Sequence, residues 1–310
     1  MLRHILVPLD GLPVSQAALP PAAWLAEKAP ARVTLLHMVE RDAPASLHGQ
    51  PHLVDAAAAE RYLRDVAARS FARTVRVEWH VHEGGIDDVA ESLAAHVEEL
   101  KPDLVAMLAH GRPNLRQRVL GSLAQQLVGR GRAAVLLVRP GADGQVALPF
   151  RQLLVPLDGQ AAHESALPLA AQIARLASAP VHLLTVVPRW ADLSGPRAAT
   201  SQLLPAATRE MLDLAEQRGV DYLAAVSTRL QREGICSSAA VARGRPARLI
   251  AQTANQRGAD LVAMATHGQA GTRAFWSGSL GARLVGRIEA SFLLVPAGKE
   301  QAGIQGMRGI

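Results

Sequence analysis

Two segments of this chain combine glycine, histidine and serine at the same spacing. The first reads His110–Gly111, nine residues, then Gly121–Ser122, and the second reads His267–Gly268, nine residues, then Gly278–Ser279. Glycines let the backbone approach a ligand closely, and a helix that opens at a serine offers free N–H groups and the positive end of its dipole. The two segments are therefore candidate sites for an anion such as a nucleotide phosphate.

Asp10 and Asp158 each follow an apolar segment and stand directly before a glycine. Both surroundings read Val-Pro-Leu-Asp-Gly, over residues 7–11 and 155–159. In an open parallel sheet, ligands bind beyond the carboxyl ends of the strands where the strand order reverses, so an aspartate at such an end can meet a ligand. The alternative is structural, because aspartate before glycine also forms turns.

Other polar residues have structural interpretations. Ser122 with Gln125 fits a capping box, in which the hydroxyl serves the helix rather than a ligand. His80 and His82 lie two apart on one strand face as a potential metal pair, but the sequence shows no third clear ligand, so we expect a solvated strand edge. Cys236 lies in a small-residue strand segment and is not expected to act as a nucleophile.

The segments that would position these residues occur twice. Residues 4–11 recur at 152–159, an offset of 158 − 10 = 148, and residues 103–107 and 136–138 recur at 260–264 and 293–295, an offset of 260 − 103 = 157. The offset grows because the second copy is longer in its middle. A colinear series of this kind indicates an internal duplication.

Within each copy, short continuous apolar runs alternate with helical stretches. The runs are Ile5–Leu9, Val33–Val39, Leu104–Ala109 and Val135–Val138, and the helices are expected over 14–28 and 86–100. Runs of this type are buried on both faces, which favours a parallel sheet with right-handed crossovers. The alternating segment 74–82 is predicted near a sheet edge. Pro20 and Pro21 are expected to kink the first helix.

These patterns predict an α/β protein of two repeated, doubly wound, five-stranded parallel-sheet domains. The first domain is expected over residues 1–142 and the second over 149–297, with a flexible tail at 298–310. The two domains are expected to pair within the chain through their final strands, 135–138 and 292–295, and a homodimer is left open.

With the Val-Pro-Leu-Asp-Gly starts and the glycine spacing, both copies resemble the universal stress protein family. Its nucleotide-binding members carry a glycine, two residues, a glycine, nine residues, then Gly-Ser or Gly-Thr. The resemblance implies a Rossmann-like, adenine nucleotide alpha hydrolase-like fold that binds ATP or a related adenine nucleotide. The nucleotide-binding positions that it implies are Asp158, Val187, Ala265, Gly268, Gly278, Ser279 and Leu280 in the second copy, and Asp10, Val39, Gly111, Gly121 and Ser122 in the first.

The two copies differ in how well they keep this pattern. The first motif glycine is replaced by Leu108 in copy one and by Ala265 in copy two, and a leucine side chain could occupy phosphate space. After its third strand, copy two also carries Arg243 and Arg245 where copy one has Glu83, so Coulomb attraction favours a polyphosphate in copy two. If either domain binds a nucleotide, we therefore expect the second domain to do so.

Composition narrows the functional classes. The net charge is +6, with 33 − 3 = 30 arginines that alternate with acids along helical stretches, which is typical of solvated faces and argues against nucleic acid. No apolar run approaches the roughly 18 residues that span a membrane, and no signal segment precedes the first strand, so a cytoplasmic location is expected.

We therefore expect a stress-response protein that binds ATP or a related adenine nucleotide, with or without Mg²⁺, as a regulatory ligand. The three lysines lie away from both loops, which argues against an adenylyl-transferring ligase and leaves slow ATP hydrolysis at most. The alternative is a member of the same family that binds no nucleotide and acts as a scaffold or partner-interaction protein.

Overall fold

The computed structural model describes residues 1–40, 46–47, 50–51, 53, 55–86, 88–109, 122–130, 133–141, 144–193, 195–266 and 280–297. The strands of the first half are β1 (His4–Pro8), β2 (Arg32–Glu40), β3 (Ser46–Leu47), β4 (Gln50–Pro51), β5 (Val77–Ile86), β6 (Leu104–Leu108) and β7 (Ala134–Val138). Those of the second half are β8 (Leu153–Pro156), β9 (Val181–Val187), β10 (Ser237–Arg243), β11 (Leu261–Thr266) and β12 (Ser291–Pro296).

The helices pack on both faces of the sheet. In the first half they are α1 (Leu19–Lys28), α2 (Ala56–Ser70), α3 (Val89–Leu100) and α4 (Ser122–Arg130). In the second half they are α5 (Leu167–Ala177), α6 (Pro196–Leu203), α7 (Pro205–Arg232), α8 (Pro246–Arg257) and α9 (Leu280–Val285). Among the described residues, no helix is both long enough and apolar enough to cross a membrane.

Ten strands form one sheet in the order β10-β9-β8-β11-β12-β7-β6-β1-β2-β5. Within each half all pairs are parallel, and the strand order reverses between β1 and β6 and again between β8 and β11. The halves meet where β12 pairs antiparallel with β7, with Leu293 opposite Leu136. The predicted class, two repeated doubly wound domains with five parallel strands each, is confirmed.

The central strands are buried on both faces, as their continuous apolar runs predict. Successive side chains of β1 alternate between two cores, so Ile5 lies in one hydrophobic cluster and Leu6 in the other. The predicted half-polar strand is β5, which forms one edge of the sheet, and its Trp79 side chain is 39% exposed. Local alternation of side-chain polarity therefore reported the edge position correctly.

The prolines of the first helices are placed differently from the expectation. A 3-10 segment spans Pro13–Ala18, and α1 begins only at Leu19, so Pro20 and Pro21 lie in the first helical turn. A proline there loses no intrahelical hydrogen bond, because the first N–H groups of a helix have no partner within it. The predicted kink within a helix over 14–28 is therefore wrong.

The helix expected over 86–100 begins later, at Val89, while Ile86 still belongs to β5. Asp88 sets this start, since its carboxylate accepts hydrogen bonds from the N–H groups of Ala90 and Glu91 at 2.9 and 3.1 Å. An aspartate in this position satisfies helix N–H groups that would otherwise lack partners.

The extra length of the second half forms α6 and the long helix α7, which covers β9 and β10. Gly219 allows α7 to approach this sheet closely, because a Cβ added there would lie 3.3 Å from Val241 Cγ2. The first half has the shorter helix α2 and the β3–β4 hairpin in the same part of its sequence.

Candidate functional site

The candidate site of each half lies at the carboxyl edge of the sheet, where the strand order reverses. In the second half, β8 lies between β9 and β11, with Leu154 aligned with both His182 and Val262. Asp158 follows β8, and Ala265 is the penultimate residue of β11, so both belong to the same edge on neighbouring strands. An edge of this kind is where open α/β sheets bind ligands.

Asp158 anchors the turn that leaves β8. Its Oδ1 accepts from the Gln160 N–H at 3.1 Å, and its Oδ2 accepts from Gln160 Nε2 at 3.1 Å and from His163 Nδ1 at 2.7 Å. The glycine that follows has a φ of +83°, which the turn requires. The side chain of Asp158 is nevertheless 47% exposed, so the carboxylate has room for a further partner.

Asp10 has the same place in the first half with fewer bonds. Its Oδ1 accepts from the Leu12 N–H at 2.9 Å, and Gly11 after it has a φ of +86°. The turn-forming role that the sequence left open is therefore present at both aspartates. Such a role does not exclude ligand contact, because a carboxylate has more acceptor sites than these bonds use.

The ends of the second strands lie beside these turns. Val187 ends β9 and is buried, and its carbonyl accepts from the Gly244 N–H at 2.9 Å. Val39, its counterpart, is half-buried near the end of β2. The two valines are thus at the edge that the prediction required.

A helix follows each glycine segment. Ser122, the predicted start, is the first described residue of α4, whereas α9 is described from Leu280, one residue after the predicted start at Ser279. Gly111, Gly121, Gly268, Gly278 and Ser279 lie outside the described residues. The described part of the site therefore consists of the strand ends and the two helix starts.

A family model for the universal stress protein family matches residues 1–139 and again residues 149–296. The chain belongs to the universal stress protein family. The two matches together cover nearly the whole chain, and each coincides with one five-stranded half of the sheet.

Solved structures share the fold of the whole chain. A putative universal stress protein from Pseudomonas aeruginosa UCBPP-PA14 is 17% identical, covers 96% of this chain and 94% of its own, and gives a TM-score of 0.64. A universal stress protein from Archaeoglobus fulgidus is 14% identical, with coverages of 96% and 97% and a TM-score of 0.65. A protein of unknown function from P. aeruginosa PAO1 is 17% identical, with coverages of 96% and 93% and a TM-score of 0.64.

The two halves of this universal stress protein differ in the space next to the glycine of the aspartate turn. In the first half the side chain of Leu53 packs against Gly11, and a Cβ built on Gly11 would lie 2.8 Å from Leu53 Cδ1. Around the equivalent point of Gly159, no described atom lies within 4 Å. The space beside the strand end is therefore occupied in the first half and open, among the described residues, in the second.

The two residues that replace the first motif glycine lie at the carboxyl ends of their strands. Leu108 ends β6 beside Val138, and Ala265 lies in β11 beside Val295, and both side chains are partly exposed. The leucine therefore places a bulky side chain at the very position where the second half has only a methyl group.

The arginines of the second half are less available than their sequence positions indicate. Arg243 Nε lies 2.7 Å from Glu216 Oε2, and its Nη2 lies 2.6 Å from Asp213 Oδ1. Arg245 Nε lies 3.0 Å from Asp192 Oδ1. Both guanidinium groups thus already have carboxylate partners, which weakens the electrostatic argument for a polyphosphate in this half.

One further histidine was not recognised from the sequence as a neighbour of His80 and His82. His80 and His82 were expected on a solvated edge without a third ligand, but His96 of α3 lies beside both of them. This group belongs to the opposite face of the first half from α1 and α2, and it is separate from the aspartate turns.

Proposed function

We propose that this universal stress protein binds ATP or a related adenine nucleotide in its second half, with or without Mg²⁺, as a regulatory ligand in a stress response. Asp158 and the end of β9 at Val187 would hold the adenine. The backbone at Ala265, the glycines at 268 and 278, and the Ser279–Leu280 helix start would hold the phosphates.

One observation carries this proposal. Asp158 follows β8 and Ala265 lies near the end of β11, so both lie at the carboxyl edge of the sheet where the strand order reverses. Ala265 comes directly before the segment with the family's glycine spacing. Crevices at such reversals bind ligands in doubly wound sheets, and glycine-rich turns before a helix accommodate phosphates. Sheet topology and motif thus point to the same place.

The preference for the second half rests on space rather than on charge. Leu53 packs on the glycine of the first aspartate turn, and Leu108 places a branched side chain at the strand end. The second half has Ala265 there, and among the described residues no atom lies within 4 Å of a Cβ built on Gly159. Any advantage from Arg243 is offset by its two carboxylate partners.

A regulatory ligand fits this site better than a substrate for rapid turnover. Lys28 ends α1 ahead of β2, and Lys101 precedes β6, so both lie toward the amino edge of the sheet, away from the candidate site. Phosphoryl and adenylyl transfer enzymes commonly place a lysine on the phosphates to stabilise developing charge. The third lysine, Lys299, lies outside the described residues.

The second candidate function is a scaffold or partner-interaction protein that binds no nucleotide. It is favoured by the loss of the first motif glycine in both halves and by the bonds that Asp158 already makes with Gln160 and His163. In that case the carboxylate would serve the turn alone.

The test exchanges the residues that distinguish the halves. Nucleotide carried through purification is measured by chromatography after denaturation, and ATP is then titrated against thermal unfolding with and without Mg²⁺. Ligand at about one hundred times its dissociation constant should add about 2.7 kcal/mol to the stability of the native state. Ala265→Leu should abolish this shift, because it gives the second half the side chain of the first.

Leu108→Ala is the matched control and should leave the shift intact. Asp158→Asn should weaken it more than Asp10→Asn does. Wild-type protein that carries no nucleotide and shows no shift at millimolar ATP would exclude the nucleotide proposal and leave the scaffold alternative. A shift that survives Ala265→Leu but is lost with Asp10→Asn would place the site in the first half.

A further inference from the structure

Three histidines meet at the outer edge of the first half. The edge strand β5 pairs with β2, which aligns His80 with Leu36 and His82 with Met38. This face of β2 is buried in the same hydrophobic cluster as Leu93 and Val97 of α3. His96 precedes Val97 on that helix, so the sheet register and the helix position bring the three imidazoles together.

The distances are those of a group that can share one ion. One ring nitrogen of each histidine lies within 4.8 Å of those of the other two. The ring centroid of His96 is 5.1 Å from that of His80 and 4.9 Å from that of His82. Imidazole nitrogens around Zn²⁺ lie at about 2.0–2.1 Å from the metal, so a tetrahedral set is about 3.3 Å apart. Metal binding requires this contraction, which would come from rotation of the exposed His80 and the half-exposed His82 side chains.

A backbone hydrogen bond fixes the tautomer of His96. Its Nδ1 lies 2.8 Å from the carbonyl oxygen of Ser92, one helical turn earlier. A carbonyl can only accept, so Nδ1 carries the proton and the neutral ring has its lone pair on Nε2. Metal-binding histidines are held in this way, with the other ring nitrogen bonded to a backbone carbonyl or carboxylate. The side chain of His96 is buried, which limits its alternatives.

We propose that His80, His82 and His96 bind a divalent transition-metal ion, with Zn²⁺ as the reference cation and water in the remaining coordination position. Imidazole nitrogen is a ligand that Zn²⁺, Cu²⁺, Ni²⁺ and Co²⁺ accept, whereas Mg²⁺ and Ca²⁺ prefer oxygen. Three protein ligands with one face toward solvent form an open site rather than a closed structural one. The ion would also tie the edge strand β5 to α3.

The second half shows that the fold itself does not require these histidines. Its edge strand β10 pairs with β9 so that Leu184 aligns with Ala240 and Val186 with Ala242, where 36 + 148 = 184. The position equivalent to His96 in α8 is Thr253, since 96 + 157 = 253. The same sheet and helix are thus built with alanine, alanine and threonine, and none of these residues is a metal ligand of this type.

This internal comparison supplies the variant for the test. Untagged full-length protein is stripped with a chelator and freed of nucleotide, then titrated with Zn²⁺, with stoichiometry measured by elemental analysis. Co²⁺ provides a second readout through its visible absorption in a low-symmetry nitrogen site. The wild type should bind one ion per chain and unfold at a higher temperature with Zn²⁺ than without it. The variant carrying His80→Ala, His82→Ala and His96→Thr should lose both effects.

Two further variants keep the result decisive. His80→Ala alone removes an exposed side chain, so it should fold normally while its affinity falls about 100-fold or more, because even second-shell changes cost about 10–100-fold. Cys236→Ser controls for the exposed thiol and should bind like the wild type. Absence of stoichiometric binding in the wild type, its persistence in the triple variant, or its loss with Cys236→Ser would overturn the proposal.

Discussion

His37 and Thr185 hold the same position in the two halves and hydrogen-bond to the same backbone group, since 37 + 148 = 185. His37 Nδ1 lies 2.8 Å from the Leu9 carbonyl oxygen, and Thr185 Oγ1 lies 2.9 Å from that of Leu157. Each carbonyl directly precedes the aspartate of its half. Two side chains of different shape thus fix the approach to the same turn.

Thr185→Val is expected to lower the free energy of unfolding by about 1–2 kcal/mol, because it removes a buried hydrogen-bond donor while keeping the side-chain shape. Urea denaturation measures the change. Thr228→Val is the matched control, since the hydroxyl of Thr228 bonds to a carbonyl of its own helix at an exposed site. Equal losses for the two variants would show that the Thr185 bond has no special importance.

Gly11→Ala should destabilise the protein more than Gly159→Ala does. Both glycines have a φ above +80°, a conformation that costs an L-residue about 1–2 kcal/mol. Only at Gly11 would the new Cβ meet Leu53, at 2.8 Å. In a Leu53→Ala background the two alanine substitutions should cost the same, and a persistent difference there would contradict the role given to Leu53.

The fold was predictable because its signals are local and occur twice. Continuous apolar runs such as 104–108 identify strands buried on both faces, and the alternating polarity around Trp79 identifies an edge strand. The duplication then applied each signal to both halves. Helix boundaries were less predictable, since Pro20 is compatible with either a kinked helix or a helix start.

The contacts around the histidines and around Arg243 were less predictable from the sequence, because they join distant parts of the chain. His96 lies 96 − 82 = 14 residues beyond His82 on another element, and their proximity depends on sheet register and helix phase together. Arg243 finds its carboxylate partners 27 and 30 residues earlier on α7. A sequence pattern shows the arginine but not the acids that neutralise it.

Acidification should destabilise the protein partly through His4. The guanidinium of Arg32 can only donate, so its 3.2 Å contact leaves the lone pair on His4 Nδ1, and His4 Nε2–H donates to Thr34 Oγ1 at 2.8 Å. Burial, followed by the charge of Arg32, lowers the pKa of His4 below 6.5. Below pH 6.5 the unfolded chain therefore gains a proton that the folded chain does not, and stability falls as the pH falls.

His4→Gln tests this linkage with a residue that the second half already uses, because Gln152 is the equivalent position, 4 + 148 = 152. Between pH 6.5 and about pH 5, the unfolding free energy of the variant should decline less steeply than that of the wild type. Above about pH 7.5 the two profiles should run parallel, because neither state then binds a proton at this position. Parallel profiles over the whole range would exclude His4 as a contributor.

Arg139 joins the two halves beside the antiparallel β7–β12 pair, and its replacement should weaken their association. Its Nη2 donates to the Val285 carbonyl at 2.7 Å and its Nη1 donates to the Ile288 carbonyl, at the C-terminal end of α9. Its backbone N–H donates to Ser291 Oγ at 3.1 Å. A guanidinium in this place satisfies carbonyls that the helix leaves without partners and complements the negative end of its dipole.

Arg139→Met keeps an apolar stem but removes these donors, so we expect a loss of about 1.5–3 kcal/mol in the free energy of unfolding. We also expect faster proteolysis of the connection at 140–150, since the halves would separate more often. Arg151→Ala is the control, because the Arg151 side chain is 80% exposed and its contact with Asp260 is 3.8 Å long. Such a surface pair contributes about 0–1 kcal/mol. If Arg139→Met proves no more harmful than Arg151→Ala, the association of the halves depends on the strand ladder and not on this arginine.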